Sequence, residues 1–333
     1  MRVISVYPNF ANKGGAQNVV LQLAEKLNEA AEDRIVLTST PVEQIEPDYR
    51  LRGTFLKLGW RSVRNLASEE TVFLSHHRKC TSLLLIYKKL FFPRMHVVHV
   101  AHNTFDNLRS FCLYPQRVVA VSCAVKSNLV DYFRLSESRV PVIYNGLPDE
   151  RNRENVGRHP GEVHVLLAGR ICAVKQQLEI VRQAKGKLLP HVHLFFAGVG
   201  ADAAALQELI KGETQFHYLG QIDMRQGLNR FDYVCLFSQK EGLGLSLIEG
   251  CMFGKPMVTN DLPVMLEVNV ANETGFVFPD MPSLIGGLND LPTVESEEYV
   301  RLSRNARARY ELLFTEDRMI AQYKSLIKEE LVS

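Results

Sequence analysis

The feature that most constrains the fold of this chain is the repeated alternation of short apolar runs with helix-length segments. In the first half the runs are rich in β-branched residues and include "RVISVY", "RIVLTS", "TVFLS" and "HVVHVAH". The pattern restarts in the second half with "VHVLLAG", "HVHLFFAG", "FHYLG" and "DYVCLFS". Strands that are apolar throughout and joined through helices are typical of parallel sheets covered on both faces. The sequence therefore predicts an α/β protein built from doubly wound sheets.

The length of the chain favours two domains, because its 333 residues exceed what one hydrophobic core usually serves. The polar stretch "LPDERNRENVGRHPGE" at 147–162 contains proline and glycine, which is typical of a linker. We predict an N-terminal domain at 1–147, a linker at 148–162 and a C-terminal domain at 163–315. A final helix at 316–333 is expected to pack back on the N-terminal domain. Ligands are expected at the carboxyl ends of the strands, in a cleft between the domains.

Composition narrows the class of protein. Hydrophobic residues make up 46% and charged residues 23% of the chain, and the net charge is only +2. This is the usage of a globular protein without the polyelectrolyte character of a nucleic-acid binder. The six cysteines are scattered and show no CxxC spacing, so we expect reduced thiols of the cytoplasm. The sequence shows no secretion signal and no apolar run of roughly 20 residues. We therefore expect a protein that is not exported and does not cross a membrane.

One region departs from this neutral balance. Residues 50–94 contain ten basic residues against two acidic ones, Glu69 and Glu70. The segment 78–94, "RKCTSLLLIYKKLFFPR", is an apolar stretch of helix length with basic residues at both ends. Two interpretations stay open: a buried helix whose charged ends reach water, or a peripheral patch that holds the protein at anionic lipid on the inner face of the membrane.

The most informative segment is "KEGLGLSLIEGCMFGKP" at 240–256. A strand is predicted to end near Ser238, and a helix to begin near Gly244–Leu245. At the N-terminus of a helix, unsatisfied backbone N–H groups and the helix dipole favour a bound phosphate. Glycine residues there let the backbone approach the phosphate closely. Glu241 precedes the helix and Glu249 lies on it, where both can accept hydrogen bonds from sugar hydroxyls. A solvated surface helix is the alternative, but a carboxylate within "LSLIEGCMFG" would be costly unless it is engaged.

This segment has the pattern E-G-x-G-(x)4-E followed by G-x-P, which resembles the donor-site signature of retaining glycosyltransferases of family 4. Three further segments match that family in the same order: "KGGAQNVVLQLA" at 13–24, "VLLAGRICAVKQ" at 165–176 and "TGFVFPD" at 274–280. The resemblance spans nearly the whole chain. It implies the GT-B fold of two Rossmann-like domains, with the acceptor side at 1–147 and the nucleotide-sugar at 163–315. It also implies an enzyme of hexosyltransferase type that moves a sugar from a nucleotide-sugar to a glycan or lipid-linked acceptor in cell-surface polysaccharide synthesis.

The resemblance also implies roles for particular residues of the second half. Arg170 and Lys175 would clamp the donor diphosphate, which agrees with the fork of an arginine and the compact charge of a lysine. Taken alone, they could equally be solvated loop residues. Glu249 would bind the ribose and Glu241 the transferred sugar. The remaining donor contacts would come from the backbone, at Gly242, Leu243 and Gly244 for phosphate and at Tyr218 and Leu219 for the nucleobase.

In the first half, Gly14 and Gly15 would approach the donor phosphates, although taken alone they could be a helix-entry turn. His102 ends the strand of "HVVHVAHN" and would lie near the transferred sugar, whereas His99 is predicted to be a packed core residue. His76 and His77 end another strand, and no ligand spacing beside them indicates zinc. The family often has two glycines after "V-(x)-(S/T)-(D/N)", but "VTNDLPVMLEV" has prolines there, which leaves the sugar open.

No D-x-D triplet occurs, so we expect a UDP- or GDP-sugar to be used without a metal and without a cofactor. The family mechanism is front-face displacement with retention of anomeric configuration. Two alternatives remain: a GT-B-type sugar-nucleotide epimerase, which needs no acceptor, and a nucleotide-sugar-binding module without activity. A dinucleotide oxidoreductase is disfavoured because no complete GxGxxG follows a strand.

Overall fold

The computed structural model describes residues 1–28, 30–151 and 161–332. The chain divides into two compact units, a first unit of Met1–Asn145 with Asp317–Ser333 and a second unit of Gly146–Glu316. Most of the predicted linker at 148–162 lies outside the described residues, and the predicted domain limits stay a prediction. The α/β fold with two doubly wound parallel sheets is confirmed.

The sheet of the first unit has the order β3-β2-β1-β4-β5-β6 in the described part of the chain, and all neighbours are parallel. Its strands are β1 Arg2–Val6, β2 Ile35–Thr38, β3 Thr54–Lys57, β4 Thr71–Ser75, β5 His96–Ala101 and β6 Arg117–Ala120. Its helices are α1 Gly15–Leu27, α2 Pro47–Arg50, α3 Trp60–Leu66, α4 Arg78–Leu90, α5 Cys123–Asp131 and, from Asp317 onward, α13 Glu316–Val332.

The sheet of the second unit has the order β12-β11-β10-β7-β8-β9 over the residues described, again with parallel neighbours only. Its strands are β7 Val163–Ala168, β8 Val192–Ala197, β9 Phe216–Gly220, β10 Tyr233–Leu236, β11 Met257–Thr259 and β12 Gly275–Val277. Its helices are α6 Gln177–Ala184, α7 Ala203–Leu209, α8 Met224–Gly227, α9 Leu245–Met252, α10 Pro263–Leu266, α11 Met281–Asn289 and α12 Glu297–Leu313.

The helices are held to the sheets by their apolar faces. On α1, Val20, Leu23, Ala24 and Leu27 are buried, and Ala16 in the first turn is half-buried. On α9, Leu247, Ile248 and Cys251 are fully buried. Burying such aliphatic side chains contributes about 1.5–3 kcal/mol each, so both helices are anchored mainly by packing.

The strand order places a topological switch point in each unit. In the second unit the chain runs from β7 outward through β8 and β9, then returns to β10 on the other side of β7. The loops after β7 and β10 therefore leave the carboxyl edge side by side and lead to opposite halves of the sheet. The first unit repeats this arrangement at β1 and β4. Such points are where doubly wound sheets bind ligands.

Two further expectations concern cysteines and membranes. The cysteines are all free thiols, at Cys80, Cys112, Cys123, Cys172, Cys235 and Cys251. Among the described residues, no helix combines the length and the apolar character that crossing a membrane requires.

Candidate functional site

The loops after β7 and β10 are joined to each other at the switch point of the second unit. The N–H of Gln239 donates to the carbonyl of Val174 at 2.8 Å, and Nε2 of Gln176 donates to the carbonyl of Phe237 at 3.5 Å. Both loops follow neighbouring strands, since Tyr233 of β10 pairs with Val165 of β7. The two most informative sequence motifs, 165–176 and 240–256, are thus brought together by the strand order.

An ion pair lies where these loops meet. Nζ of Lys175 donates to Oε1 of Glu241, and Oγ of Ser238 donates to the same carboxylate oxygen at 3.0 Å. The side chains of Lys175 and Glu241 are only 20% and 12% exposed. Because partial burial removes solvent screening, the cation and the carboxylate are held in a defined geometry. The arrangement offers one positive charge and one carboxylate at the same point of the sheet edge.

Sequence reasoning missed two residues that position this pair. Ser238 is fully buried and bonds Glu241 directly, and Nδ2 of Asn260 donates to the carbonyl of Ser238 at 2.7 Å. Asn260 directly follows β11, the neighbour of β10. Polar residues within two positions of the end of a buried strand, at or beside the switch point, were the signal that could have found them.

Arg170 lies in the loop after β7 but makes no contact with the ion pair. Its side chain is exposed, and its carbonyl accepts a hydrogen bond from Nε2 of Gln177 at 3.1 Å. The neighbouring backbone is closely packed, because a Cβ on Gly198 would lie 1.9 Å from the carbonyl oxygen of Gly169. The loop is fixed while the guanidinium is left at the surface, where it can reach a ligand anion.

The glycine-rich turn leads into α9 as the sequence predicts. Gly244 is the N-cap at φ 76° and ψ 69°, a left-handed conformation that favours glycine, and no side chain caps the helix. Gly242, Leu243 and Gly244 are buried, and the first turn contains no acidic residue. An uncapped helix start with its dipole is a suitable site for an anion. Glu249 lies on the second turn and is half-buried.

The predicted nucleobase residues lie farther along the same sheet edge. Tyr218 and Leu219 are in β9, two strands away from β7. The hydroxyl of Tyr218 donates to the carbonyl of Gly198 at 3.0 Å, while the side chain of Leu219 is 36% exposed. The structure therefore brings Tyr218 to the loop after β8 and does not bring it to the ion pair.

In the first unit, Gly14 and Gly15 begin α1 after β1. The N–H of Gly14 donates to the hydroxyl of Tyr49 at 3.0 Å, and Gly14 is the N-cap without a side-chain cap. A Cβ on Gly14 would lie 2.5 Å from Oε1 of Gln17. That oxygen is the end of a flexible side chain, which can move aside, and Gly15 is exposed.

His102 follows β5 and contacts His76, which follows the neighbouring strand β4. Nδ1 of His76 and Nε2 of His102 are 2.9 Å apart, and the two rings stack at 5.2 Å and 26°. Burial lowers the pKa of His102 to about 4. Burial, followed by the charges of His102 and His99, lowers the pKa of His76 well below its usual value. Both rings are therefore neutral at physiological pH.

Two neighbouring histidines, His99 within β5 and His77 before α4, have structural partners. His99 is 2% exposed, as predicted for a core residue, and its Nδ1 lies 2.7 Å from Oγ1 of Thr81. Nδ1 of His77 accepts from the N–H of Lys79 at 3.3 Å and caps α4. Over the described ranges, no three His, Cys, Asp or Glu side chains form a group that could hold a metal ion.

The segment 78–94 forms α4 and the turn that follows it. Cys80, Thr81 and Leu84 are buried, so one face of α4 packs in the first unit. At its end, however, Leu90 and Phe91 are 63% and 54% exposed. One face of the segment is thus buried and its end is exposed, and contact of that end with lipid stays a prediction.

Comparison with known proteins shows which class of protein this chain resembles. Residues 148–309 match the family model for glycosyl transferases group 1, and residues 13–151 match the model for Glycosyltransferase Family 4. D-rhamnosyltransferase WbpZ of Pseudomonas aeruginosa is 26% identical over an aligned length of 360 residues, covering 95% of this chain and 92% of that protein. The O-antigen biosynthesis glycosyltransferase WclY of Escherichia coli is 23% identical over 207 residues, covering 59% and 57%.

Among solved structures, Anabaena Alr3699/HepE in complex with UDP superposes with a TM-score of 0.82, covering 99% of this chain and 100% of that chain at 16% identity. The fold is thus GT-B. With the two family matches, the chain is a glycosyltransferase of the GT-B class. Its first half carries the family 4 domain, and its second half carries the group 1 domain.

Proposed function

We propose that this glycosyltransferase transfers a sugar from a nucleotide-sugar to a glycan or lipid-linked acceptor in cell-surface polysaccharide synthesis. The names of its relatives support this assignment, since WbpZ is a D-rhamnosyltransferase and WclY takes part in O-antigen biosynthesis. HepE, which shares the fold, was solved with UDP, and we expect UDP or GDP as the nucleotide here.

The observation that carries the proposal is the pairing of Lys175 with Glu241 beside an uncapped helix start. Lys175 and Arg170 are proposed to neutralise the donor diphosphate as it departs, and the N–H groups of Leu243 and Gly244 to bind its oxygens. Glu249 would accept hydrogen bonds from the ribose. Glu241 would bind hydroxyls of the transferred sugar once a donor phosphate has replaced it as the partner of Lys175.

The remaining assignments rest on the resemblance to family 4. His102 is proposed to contact the transferred sugar, and Gly14 and Gly15 to approach the donor phosphates with their backbone. Tyr218 and Leu219 are proposed to hold the nucleobase through main-chain groups.

We further propose that the reaction needs no metal and retains the anomeric configuration. The acceptor hydroxyl would attack the anomeric carbon on the face from which the diphosphate leaves, and a departing phosphate oxygen would take the hydroxyl proton. In such a reaction the charge of the leaving group is stabilised by Lys175 and Arg170. Activity should survive excess EDTA, and NMR should show the same anomeric configuration in donor and product. Loss of activity that Mn²⁺ or Mg²⁺ restores would disprove the metal-free chemistry.

The test of the function itself is a donor screen. Purified protein is incubated with UDP-, GDP- and ADP-sugars, with and without acceptor glycans, and the released nucleotide and sugar products are identified. Release of nucleoside diphosphate and an extended acceptor would support the proposal. An isomerised donor would indicate the epimerase, and binding without any turnover would indicate a binding module. Lys175→Ala is the inactive control, and Arg182→Ala, on the exposed face of α6, is the matched active one.

We also propose peripheral contact with anionic lipid at the cytoplasmic face of the membrane, through the end of α4. The α4-end surface consists of Ile86, Lys89, Leu90, Phe91 and Arg94, which are all exposed. Trp60 supports it from α3, with its ring stacked on that of Phe92 at 4.9 Å. Exposed apolar side chains beside basic ones suit the boundary between headgroups and acyl chains.

A further inference from the structure

The first unit contains a histidine pair at the carboxyl ends of two neighbouring strands, in which His76 is buried and His102 is half-buried. His76 is 4% exposed and directly follows β4, and its backbone N–H donates to the carbonyl of Val6 at 2.9 Å. His102 directly follows β5, which pairs in parallel with β4. The backbone of His76 is therefore bonded to the sheet and His102 directly follows a paired strand, so the contact between their rings is part of the fold.

The contact requires one proton between two ring nitrogens. Nδ1 of His76 lies 2.9 Å from Nε2 of His102, a distance typical of a hydrogen bond. Burial keeps both rings neutral, and a neutral imidazole has one N–H and one acceptor nitrogen. One ring must therefore donate and the other accept, and the direction decides which nitrogen of His102 carries its proton.

The opposite nitrogen of His76 settles the direction. Nε2 of His76 is buried and has no hydrogen-bond partner among the described residues. If its proton were on Nε2, a buried N–H would be left without an acceptor, which folded proteins largely avoid. With the proton on Nδ1, only a lone pair is left unsatisfied, and the N–H is used by His102.

We infer that His76 donates from Nδ1 to Nε2 of His102 and thereby fixes His102 as the tautomer that carries its proton on Nδ1. His102 then offers an N–H donor from Nδ1. In the part of the chain that the structure describes, the contact with His76 is its one hydrogen bond. His76 is a positioning residue, because it acts through His102 rather than on the substrate.

The chemical consequence rests on the proposed function, in which His102 contacts the transferred sugar. A neutral imidazole with its proton on Nδ1 donates a hydrogen bond to a sugar oxygen and cannot act there as a base. The orienting partner of a histidine often fixes its tautomer, and here that partner is a second histidine. His99 does not compete for this role, because its Nδ1 is engaged with Thr81.

The direct test is ¹⁵N NMR of the full chain with isotope-labelled histidine, without substrate. The ¹⁵N shift distinguishes a protonated ring nitrogen from a bare one, and His76→Asn and His102→Asn assign the two rings. We expect protonated Nδ1 and bare Nε2 in both residues. A protonated Nε2 in His102 would overturn the inference.

Two variants test the consequence for turnover. In His76→Asn the side-chain nitrogen replaces Nδ1 and can still donate, so kcat should stay within about twofold of wild type. His76→Leu has a similar volume but no donor, and kcat should fall about tenfold, the effect of losing one hydrogen bond. Binding of free nucleoside diphosphate should be unchanged in both, since that ligand lacks the sugar.

Equal kcat in wild type and His76→Leu, or equal losses in the two variants, would contradict the positioning role. The NMR result is independent of turnover. If the wild type transferred no sugar, the proposed function would fail, while the tautomer of His102 would still be read directly.

Discussion

At the scale of single residues, the charge that should bind the diphosphate is already engaged. Lys175 is held by Glu241, which is itself held by Ser238. If a donor phosphate binds Lys175 as proposed, it must replace Glu241 as the partner of the ammonium group, so two anions would compete for one cation. We therefore expect Glu241 to oppose the binding of diphosphate, and Glu249 to favour it through the ribose.

The first prediction separates those effects. Glu241→Gln removes the competing charge, so free nucleoside diphosphate should bind severalfold more tightly, whereas turnover should fall because contacts to the sugar are lost. Glu249→Gln should weaken the diphosphate by about ten- to a hundredfold, since hydrogen bonds to a charged group contribute about 1.5–3 kcal/mol. Calorimetric titration of free nucleoside diphosphate into wild type, Glu241→Gln and Glu249→Gln measures the affinities, and a transfer assay measures turnover. Weaker binding in Glu241→Gln, to the same degree as in Glu249→Gln, would refute this division of roles.

The second prediction concerns the proposed diphosphate clamp. Arg170→Ala and Lys175→Ala should each lower kcat about 10²-fold or more, as for other preorganised charge contacts in a transition state. Arg182→Ala is the control, because Arg182 is an exposed arginine of the same unit that pairs with Glu179 at 3.5 Å. Steady-state kinetics with a saturating donor measure the effect. Near-normal turnover in both clamp variants would exclude the assignment.

At the scale of secondary structure elements, close packing decides where α9 lies. Gly250 lies in the second half of α9, and a Cβ there would lie 2.9 Å from Cγ2 of Val234 in β10. The helix that begins at the glycine-rich turn is thus seated directly on the strand that ends at Ser238. Any shift of α9 would move its uncapped first turn relative to the ion pair.

The third prediction compares two helix glycines. Gly250→Ala should destabilise the protein by about 1–3 kcal/mol through overpacking and should also lower turnover. Gly286→Ala in α11, where nothing lies within 4 Å of the added Cβ, should stabilise it by up to about 1 kcal/mol. Chemical denaturation of both variants tests this. The packing argument fails if Gly250→Ala is as stable as Gly286→Ala.

The fourth prediction concerns how the stability that His99 of β5 contributes depends on pH. Burial lowers the pKa of His99 to about 3, below its unfolded value of about 6.5, so the unfolded chain binds more protons between these values. The stability that neutral His99 contributes is complete above pH 6.5 and is lost as the pH falls toward 3. The loss is about 1.4 kcal/mol per pH unit, or about 2 kcal/mol at pH 5.

Denaturation at pH 5 and pH 7.5 measures this dependence. His99→Asn keeps a polar group beside Thr81 but cannot titrate, so its stability should fall less between the two pH values. An unchanged pH dependence in that variant would assign the effect to other groups.

At the scale of the whole molecule, the fifth prediction concerns the membrane. Binding to liposomes should require anionic lipid and weaken as salt rises, because the contact is partly electrostatic. Lys89→Glu with Phe91→Ser should abolish binding and leave donor hydrolysis intact. The control is Arg304→Glu with Leu312→Ser, which likewise replaces one basic residue with glutamate and one apolar residue with serine, at exposed positions of α12. Equal partitioning onto neutral and anionic liposomes would count against the proposal.

The sequence by itself determined the sheets and the motifs. Runs such as "RVISVY" and "VHVLLAG" specify buried parallel strands, and the glycines of 240–256 specify the turn into α9, because these signals arise from periodicity and backbone conformation within a few residues. The burial of His99 followed in the same way from its place inside an apolar strand.

Only the tertiary structure decided which side chains meet. Lys175 and Glu241 are 66 positions apart, and His76 and His102 are 26 apart. Their pairing depends on β10 lying beside β7 and on β5 lying beside β4, and local patterns do not encode strand order. The order is set by how all the helices and strands pack together, so the engaged lysine and the proton on His102 could not be derived from the motifs that contain them.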